Sequence, residues 1–240
     1  MGPRWLVRFM CAATLAAAVS VAMPARQASA VACPDVEVVF ARGTADLPPD
    51  FGAVGVSFIA ALRARVPGRS IAAYPVDYPA SSNFSDRPAF VRTVVDGIRN
   101  AQGHMESTAA NCPRTRIVLG GYSQGAVVSG FATMASLPAG IPSQFARYES
   151  NMPAPMPPEI AGHIAAVVLF GKPSDRFMRD VGAPPIVVGP LYAGKTAEYC
   201  VPGDTVCDGS PFPGQPNALH ALYSVNGMTP AAAGFVASRL

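Results

Sequence analysis

The pentapeptide Gly121-Tyr122-Ser123-Gln124-Gly125 is the clearest offer of chemistry in the sequence. A serine hydroxyl attacks a carbonyl only when a neighbouring base takes its proton. A Gly-x-Ser-x-Gly string supplies the position for such a serine, on a tight strand-to-helix turn whose strain leaves no room for side chains beside it. The flanks agree with that placement: Arg116 to Gly120 reads as a buried strand, and Gln124 to Leu137 as a helix stopped by Pro138. Alone, the string is weak, because Gly and Ser are common here and a serine that merely caps a helix is the plain alternative.

A nucleophile needs a base, and the chain has three histidines. His104 ends a predicted surface helix, and His163 just precedes an apolar strand, at the edge opposite Ser123 if that strand is parallel. Only His220 leaves room for an acid between nucleophile and base, the order expected on a parallel sheet. The candidate acids are Asp175, Asp180, Asp204 and Asp208. Asp204 is favoured because it lies between Cys200 and Cys207, where a short covalent ring would fix the direction of its carboxylate. An acid that orients an imidazole benefits from such fixing. Asp208, just outside the ring, is the main rival, and Asp175 the next. Donors for a developing oxyanion would be the backbone N–H of Gln124 and a second from the loop Arg42-Gly43-Thr44, where Thr44 adds a hydroxyl.

The elements that must position these groups alternate. Strands are predicted at Val36 to Ala41, Ile71 to Val76, Arg116 to Gly120 and Ile164 to Phe170, with a further one at Ile186 to Tyr192. Helices are predicted at Phe51 to Val66, Asp86 to His104, Gln124 to Leu137 and Pro230 to Leu240. Strands that are apolar throughout imply burial on both faces, hence an α/β three-layer sandwich around a mostly parallel central sheet. The proline-rich stretch Asn151 to Pro158 is too short for a domain linker and reads as a surface loop.

Composition bounds the rest. The chain has 240 residues, 50% hydrophobic and 14% charged, enough for one sizeable core and too apolar for disorder. Arg4, Arg8 and Arg26 fall in an acid-free N-terminal segment; beyond it 15 basic residues face 15 acidic ones, with no footprint for nucleic acid. That segment has a basic start, an apolar run from Phe9 to Met23 and small residues ending Ala28-Ser29-Ala30, the three parts of an export signal. The run is short of the roughly 20 residues a membrane-spanning helix needs. We therefore expect residues 1–32 to be a removed secretory signal, residues 33–240 to form one domain, and the product to be extracellular or associated with the cell wall.

Cys11 leaves with the signal, and the four remaining cysteines of an exported chain imply two disulfides. The short separation of Cys200 and Cys207, with Pro202 and Gly203 to turn the chain, favours a local ring; Cys33 to Cys112 follows by elimination. No Cys-x-x-Cys pair is present among them, so no metal site is expected.

Taken together, four stretches resemble the cutinase family of secreted serine esterases, closely the actinobacterial cutinase-like proteins. They are Phe40 to Thr44, Pro113 to Gly125, Cys200-Val201-Pro202-Gly203-Asp204-Thr205-Val206-Cys207, and His220 to Tyr223. The resemblance implies a small α/β-hydrolase without cofactor, with Ser123 as nucleophile, Asp204 as acid, His220 as base, and Thr44 and Gln124 as the oxyanion hole. It implies hydrolysis of short- to medium-chain acyl esters, lipids or cutin-like polyesters through an acyl-enzyme, by a monomer that contacts lipid interfaces without spanning a membrane. The alternatives are a deacetylase of acetylated polysaccharide, disfavoured because the only tryptophan, Trp5, leaves with the signal, and a non-catalytic binding protein on the same scaffold. One departure stands out: Ser210 to Leu219 is longer and richer in proline than the family's usual approach to its histidine. It is expected to form either a partial lid, with Phe212 as a rim for acyl chains, or a simple solvent-exposed loop.

Overall fold

The computed structural model describes residues 2, 32–138, 152–211 and 213–240. The chain divides into two compact units, Met1–Ala32 and Cys33–Leu240, and the fold concerns the second. Of residues 1–32, read above as an expected export signal, all but Gly2 and Ala32, Trp5 included, lie outside the described residues, as do Phe212 and Asn151 of the expected surface loop.

Five strands form one sheet: β1 (Val36–Ala41), β2 (Ile71–Pro75), β3 (Arg116–Tyr122), β4 (Ile164–Phe170) and β5 (Thr196–Tyr199). Their spatial order is β2-β1-β3-β4-β5, and every pair is parallel. Parallel neighbours need crossovers, and helices supply them: α1 (Gly52–Arg65) between β1 and β2, α2 (Arg87–Asn111) between β2 and β3. After β3 come α3 (Gln124–Ala132), the single turn α4 (Ile160–His163) before β4, α5 (Asp175–Asp180), α6 (Pro190–Ala193) and finally α7 (Met228–Ala237).

The alternation of β1 shows why three layers form. Val36, Val38 and Phe40 pack with Phe58 and Leu62 of α1 and Val236 of α7, while Val39 and Ala41 pack with Ile98 and Ala101 of α2 on the other face. With every residue of β4 buried, a water-facing side is excluded, as the apolar run predicts.

Three boundaries differ from expectation. Ile186 to Tyr192 is not a strand: Pro190 lacks an N–H for a ladder and instead starts α6, and the fifth strand is Thr196–Tyr199. Helix α3 stops at Ala132, where the Thr133 hydroxyl donates to Gly130 O at 2.7 Å. Helix α2 continues past His104 to Asn111, because Met105 and Ala109 extend its buried stripe. At its start Asp86 caps the helix by accepting from Ala89 N at 3.0 Å.

Chain order reverses direction between β1 and β3, since β2 lies outside β1 and β4 outside β3. Such a switch point opens a crevice at the carboxyl ends of the strands, the usual location of ligand sites in open α/β sheets. Thr44 follows β1 there and Ser123 follows β3.

Candidate active site

Ser123 stands between β3 and α3 with φ 52° and ψ −117°, a conformation that L-residues rarely adopt. Two features hold it: Ser123 N donates to Phe170 O of β4 at 2.9 Å, and the turn is compressed around it. A Cβ on Gly121 would lie 2.2 Å from Gly125 O, and one on Gly125 would lie 1.9 Å from Ala41 O. Both glycines of the string are thus required by close backbone approach.

His220 sits in a single 3-10 turn, Ala218–Ala221, buried to 7% exposure. Its Nε2 lies 2.8 Å from Ser123 Oγ, and its Nδ1 lies 2.8 Å from Asp204 Oδ2. Asp204 is fully buried inside the ring closed by the Cys200–Cys207 disulfide. Burial pushes its carboxyl up, but hydrogen bonds from His220, Tyr223 and the Val206 N–H outweigh that and hold it below the usual carboxylate range. Asp204 therefore remains an anion facing the imidazole. Of the rival acids, Asp208 accepts from Ser210, and Asp175 and Asp180 belong to α5; none is in contact with His220 among the described residues.

A lowered carboxyl value ties stability to pH. The contribution of Asp204 is complete above the unfolded-chain value of about 3.9 and is lost as pH falls through the lower folded value. We expect the melting temperature to fall below about pH 4, and to fall less steeply in Asp204→Asn, as followed by circular dichroism. An unchanged slope in the variant would remove Asp204 from the account.

Two tyrosines to which sequence reading assigned no role brace this cluster. Tyr223 is fully buried; its hydroxyl donates to Asp204 Oδ2 at 2.6 Å and accepts from Val201 N at 3.1 Å. Burial, with the Asp204 carboxylate next, pushes its phenol far up, so it stays a neutral donor. Tyr122 donates to the backbone oxygen of His220 at 2.5 Å, fixing the histidine turn from the strand side. Their positions, one before the serine and three after the histidine, are the only traces in the sequence. Tyr223→Phe leaves the ring and removes one charge-assisted hydrogen bond, so kcat is expected to fall roughly tenfold with KM unchanged. Steady-state kinetics on a soluble ester reads the fall, and titration of active sites with a fluorophosphonate separates it from loss of folding, which lowers the number of labelled sites rather than turnover per site.

Two backbone N–H groups face the crevice without partners: those of Gln124 and Thr44 have no hydrogen-bond partner among the described residues. Thr44 Oγ1 donates to Gln124 Oε1 at 3.4 Å, tying the two residues together across the crevice. The loop that carries Thr44 is pinned from behind, where Arg42 donates to Tyr78 O at 2.9 Å and Tyr78 OH donates to Arg42 O.

The other histidines are engaged elsewhere. His104 lies 3.2 Å from Glu37 and stacks on Tyr74, with ring centroids 3.4 Å apart; His163 closes α4 at the amino end of β4. The second disulfide, Cys33–Cys112, joins the segments leading into β1 and β3 at the amino edge of the sheet, away from Ser123.

The sequence profile described as Cutinase matches residues 32–240. The chain belongs to the cutinase family. Among its relatives, it is 49% identical over 176 residues to the protein named Probable carboxylesterase Culp7 of Mycobacterium tuberculosis, covering 73% of this chain and 88% of that one. Among solved structures, it is similar to Trichoderma reesei cutinase in complex with a phosphonate inhibitor, with TM-score 0.60 and 30% identity over 85% of this chain and 75% of that one. An acetylxylan esterase is similar at TM-score 0.66 and 25% identity, over 87% and 99% of the two chains. The parallel sheet and flanking helices described above are the cutinase fold. No helix among the described residues is long and apolar enough to cross a membrane.

Proposed function

We propose that Ser123, His220 and Asp204 carry out the two-step reaction of this carboxylic-ester hydrolase. The observation that carries the reading is the unbroken hydrogen-bond chain from Ser123 Oγ through both nitrogens of His220 to Asp204. His220 Nε2 takes the hydroxyl proton as Ser123 Oγ bonds to the ester carbonyl carbon. The carbonyl oxygen, now negative, is held by the N–H groups of Gln124 and Thr44. His220 then gives its proton to the leaving alcohol as the C–O bond breaks. A water, deprotonated by the same nitrogen, cleaves the acyl-enzyme and restores Ser123. Asp204 keeps the imidazole in the tautomer this requires and stabilises its cation.

The reading is tested with a soluble p-nitrophenyl ester and a fluorophosphonate probe. Ester turnover together with stoichiometric labelling of Ser123 supports it; folded protein inert to both refutes it. The three residues come from one chain, so a monomer suffices. Export and residues 1–32 as its signal belong to the same proposal, supported by disulfides that persist only in oxidising compartments. Contact with lipid interfaces belongs to the same proposal, supported by Phe84, an exposed apolar side chain in the lining of the cavity at Ser123. A preference for acetylated polysaccharide is the weaker reading. Away from the catalytic cluster, Arg87 and Gln215 are, among the described residues, the only hydrogen-bonding side chains that line the cavity at Ser123, too few to hold sugar rings.

A further inference from the structure

The cavity at Ser123 has a volume of about 800 Å³ and is walled almost wholly by apolar side chains. One wall is a face of α2, presenting Phe90, Val91, Val94 and Ile98. A second is the α3 face of Val127 and Phe131, and the third comes from Phe177, Met178 and Ala183. Ile98, Phe131 and Met178 are buried members of the hydrophobic core, so the cavity reaches into the domain and is not a surface dent. Among the described residues the only charged side chain along it apart from the candidate site, Arg87, donates to the backbone oxygen of Val181.

Size decides what such a space is for. From Arg87 to Ile98 the α2 wall runs about 16 Å at 1.5 Å per residue. An extended alkyl chain advances about 1.25 Å per C–C bond, so about a dozen methylenes cover that length. By volume, a methylene occupies roughly what a water does, about 30 Å³, and a chain of about sixteen carbons takes about 500 Å³. A chain of four to eight carbons would leave most of the cavity unfilled, and apolar walls without contacts forfeit their dispersion energy.

We propose that the cavity holds the acyl chain of long-chain esters, of about twelve carbons or more. The proposal rests on the ester-hydrolase reading above and names the substrate class of that same site. The acyl side is chosen over the alcohol because the alcohol must leave past His220, which protonates it. Beside His220 the lining is Gly214, Gln215 and Pro216, all exposed, which gives the alcohol a path to water. The acyl group has to stay through the second step, and the buried walls are where it can stay.

The test uses 4-acyloxy-3-nitrobenzenesulfonates of four to twelve carbons, each held below its critical micelle concentration so that the substrate is monomeric. A fully buried methylene is worth up to about fourfold in binding, so even with partial burial kcat/KM is expected to rise at least roughly 100-fold from four to twelve carbons. Val94→Trp, which fills the middle of the cavity, should lower the twelve-to-four ratio at least roughly tenfold; Val94→Phe is the milder substitute if circular dichroism shows misfolding. Turnover that peaks at eight carbons or fewer overturns the acyl-cavity assignment while leaving the ester hydrolase standing. A gain that appears only when the alcohol of an acetate is lengthened overturns the choice of side. Absence of turnover on every ester, with Ser123 unlabelled by fluorophosphonate, overturns the underlying reading instead.

Discussion

Ser123→Ala is expected to lower kcat by roughly 10⁴- to 10⁶-fold. In the proposed mechanism its hydroxyl bonds to the substrate and no neighbouring side chain replaces it, because His220 and Asp204 act on a proton that alanine does not have. The oxyanion donors and the apolar cavity survive the change, so a residue of turnover above the uncatalysed rate remains. Folding should be nearly unaffected. The positive φ at position 123 is as strained for alanine as for serine, and the Ser123 N to Phe170 O bond is a backbone bond that the variant keeps. The decisive pair of measurements is steady-state turnover beside thermal melting. A variant that melts like the parent but retains more than about a hundredth of its kcat would falsify the nucleophile assignment.

Removing the Cys33–Cys112 bridge is expected to cost about 4 to 5 kcal/mol of stability, by the chain-entropy estimate for a loop of this length. The bridge spans a sequence separation of 79 and ties the entry of β1 to the entry of β3, two central strands that pair in parallel. Cutting it frees the unfolded chain more than it alters the folded one. Because it lies at the amino edge of the sheet, the molecules that remain folded should turn over at the parent rate. The Cys200–Cys207 ring, with a separation of 7, should behave in the opposite way. Its entropic share is smaller, about 2 to 3 kcal/mol, but it encloses Asp204 and places Cys207 Sγ 3.2 Å from the carboxylate. Opening that ring should therefore lower kcat at temperatures where the protein is still folded. Paired Cys→Ser variants, read by urea unfolding and by kcat at 25 °C, separate the two effects. Equal losses of turnover in both variants would contradict the division of roles.

The chemistry of this protein was legible where it depends on local geometry. Gly121 and Gly125 announce a turn that admits no Cβ, and the contacts at 2.2 and 1.9 Å show the steric cause. The strands were legible for a similar reason: burial on both faces demands near-continuous apolar runs, unbroken in β4, interrupted by Glu37 in β1 and preceded by Arg116 in β3. Asp204 could be preferred over Asp208 and Asp175 because a covalent ring that closes over a sequence separation of 7 is itself a local constraint. Where proline competes with an apolar pattern, local reading failed, as at Ile186 to Tyr192. Pattern reports burial, but only hydrogen-bonding capacity decides between strand and irregular chain.

The remaining features arise from residues far apart in sequence. Tyr223 and Tyr122 look like ordinary core aromatics until the fold brings one hydroxyl to Asp204 and the other to His220. The cavity is made by α2, α3 and the segment around α5, none of which carries a motif for it. Sequence alone determined which atoms can react and which backbone turn presents the serine, because those depend on residue type and on steric limits within a few bonds. Tertiary structure alone decided how the triad is braced and how much apolar space lies beside it, because hydroxyl partners and cavity volume depend on the packing of distant elements.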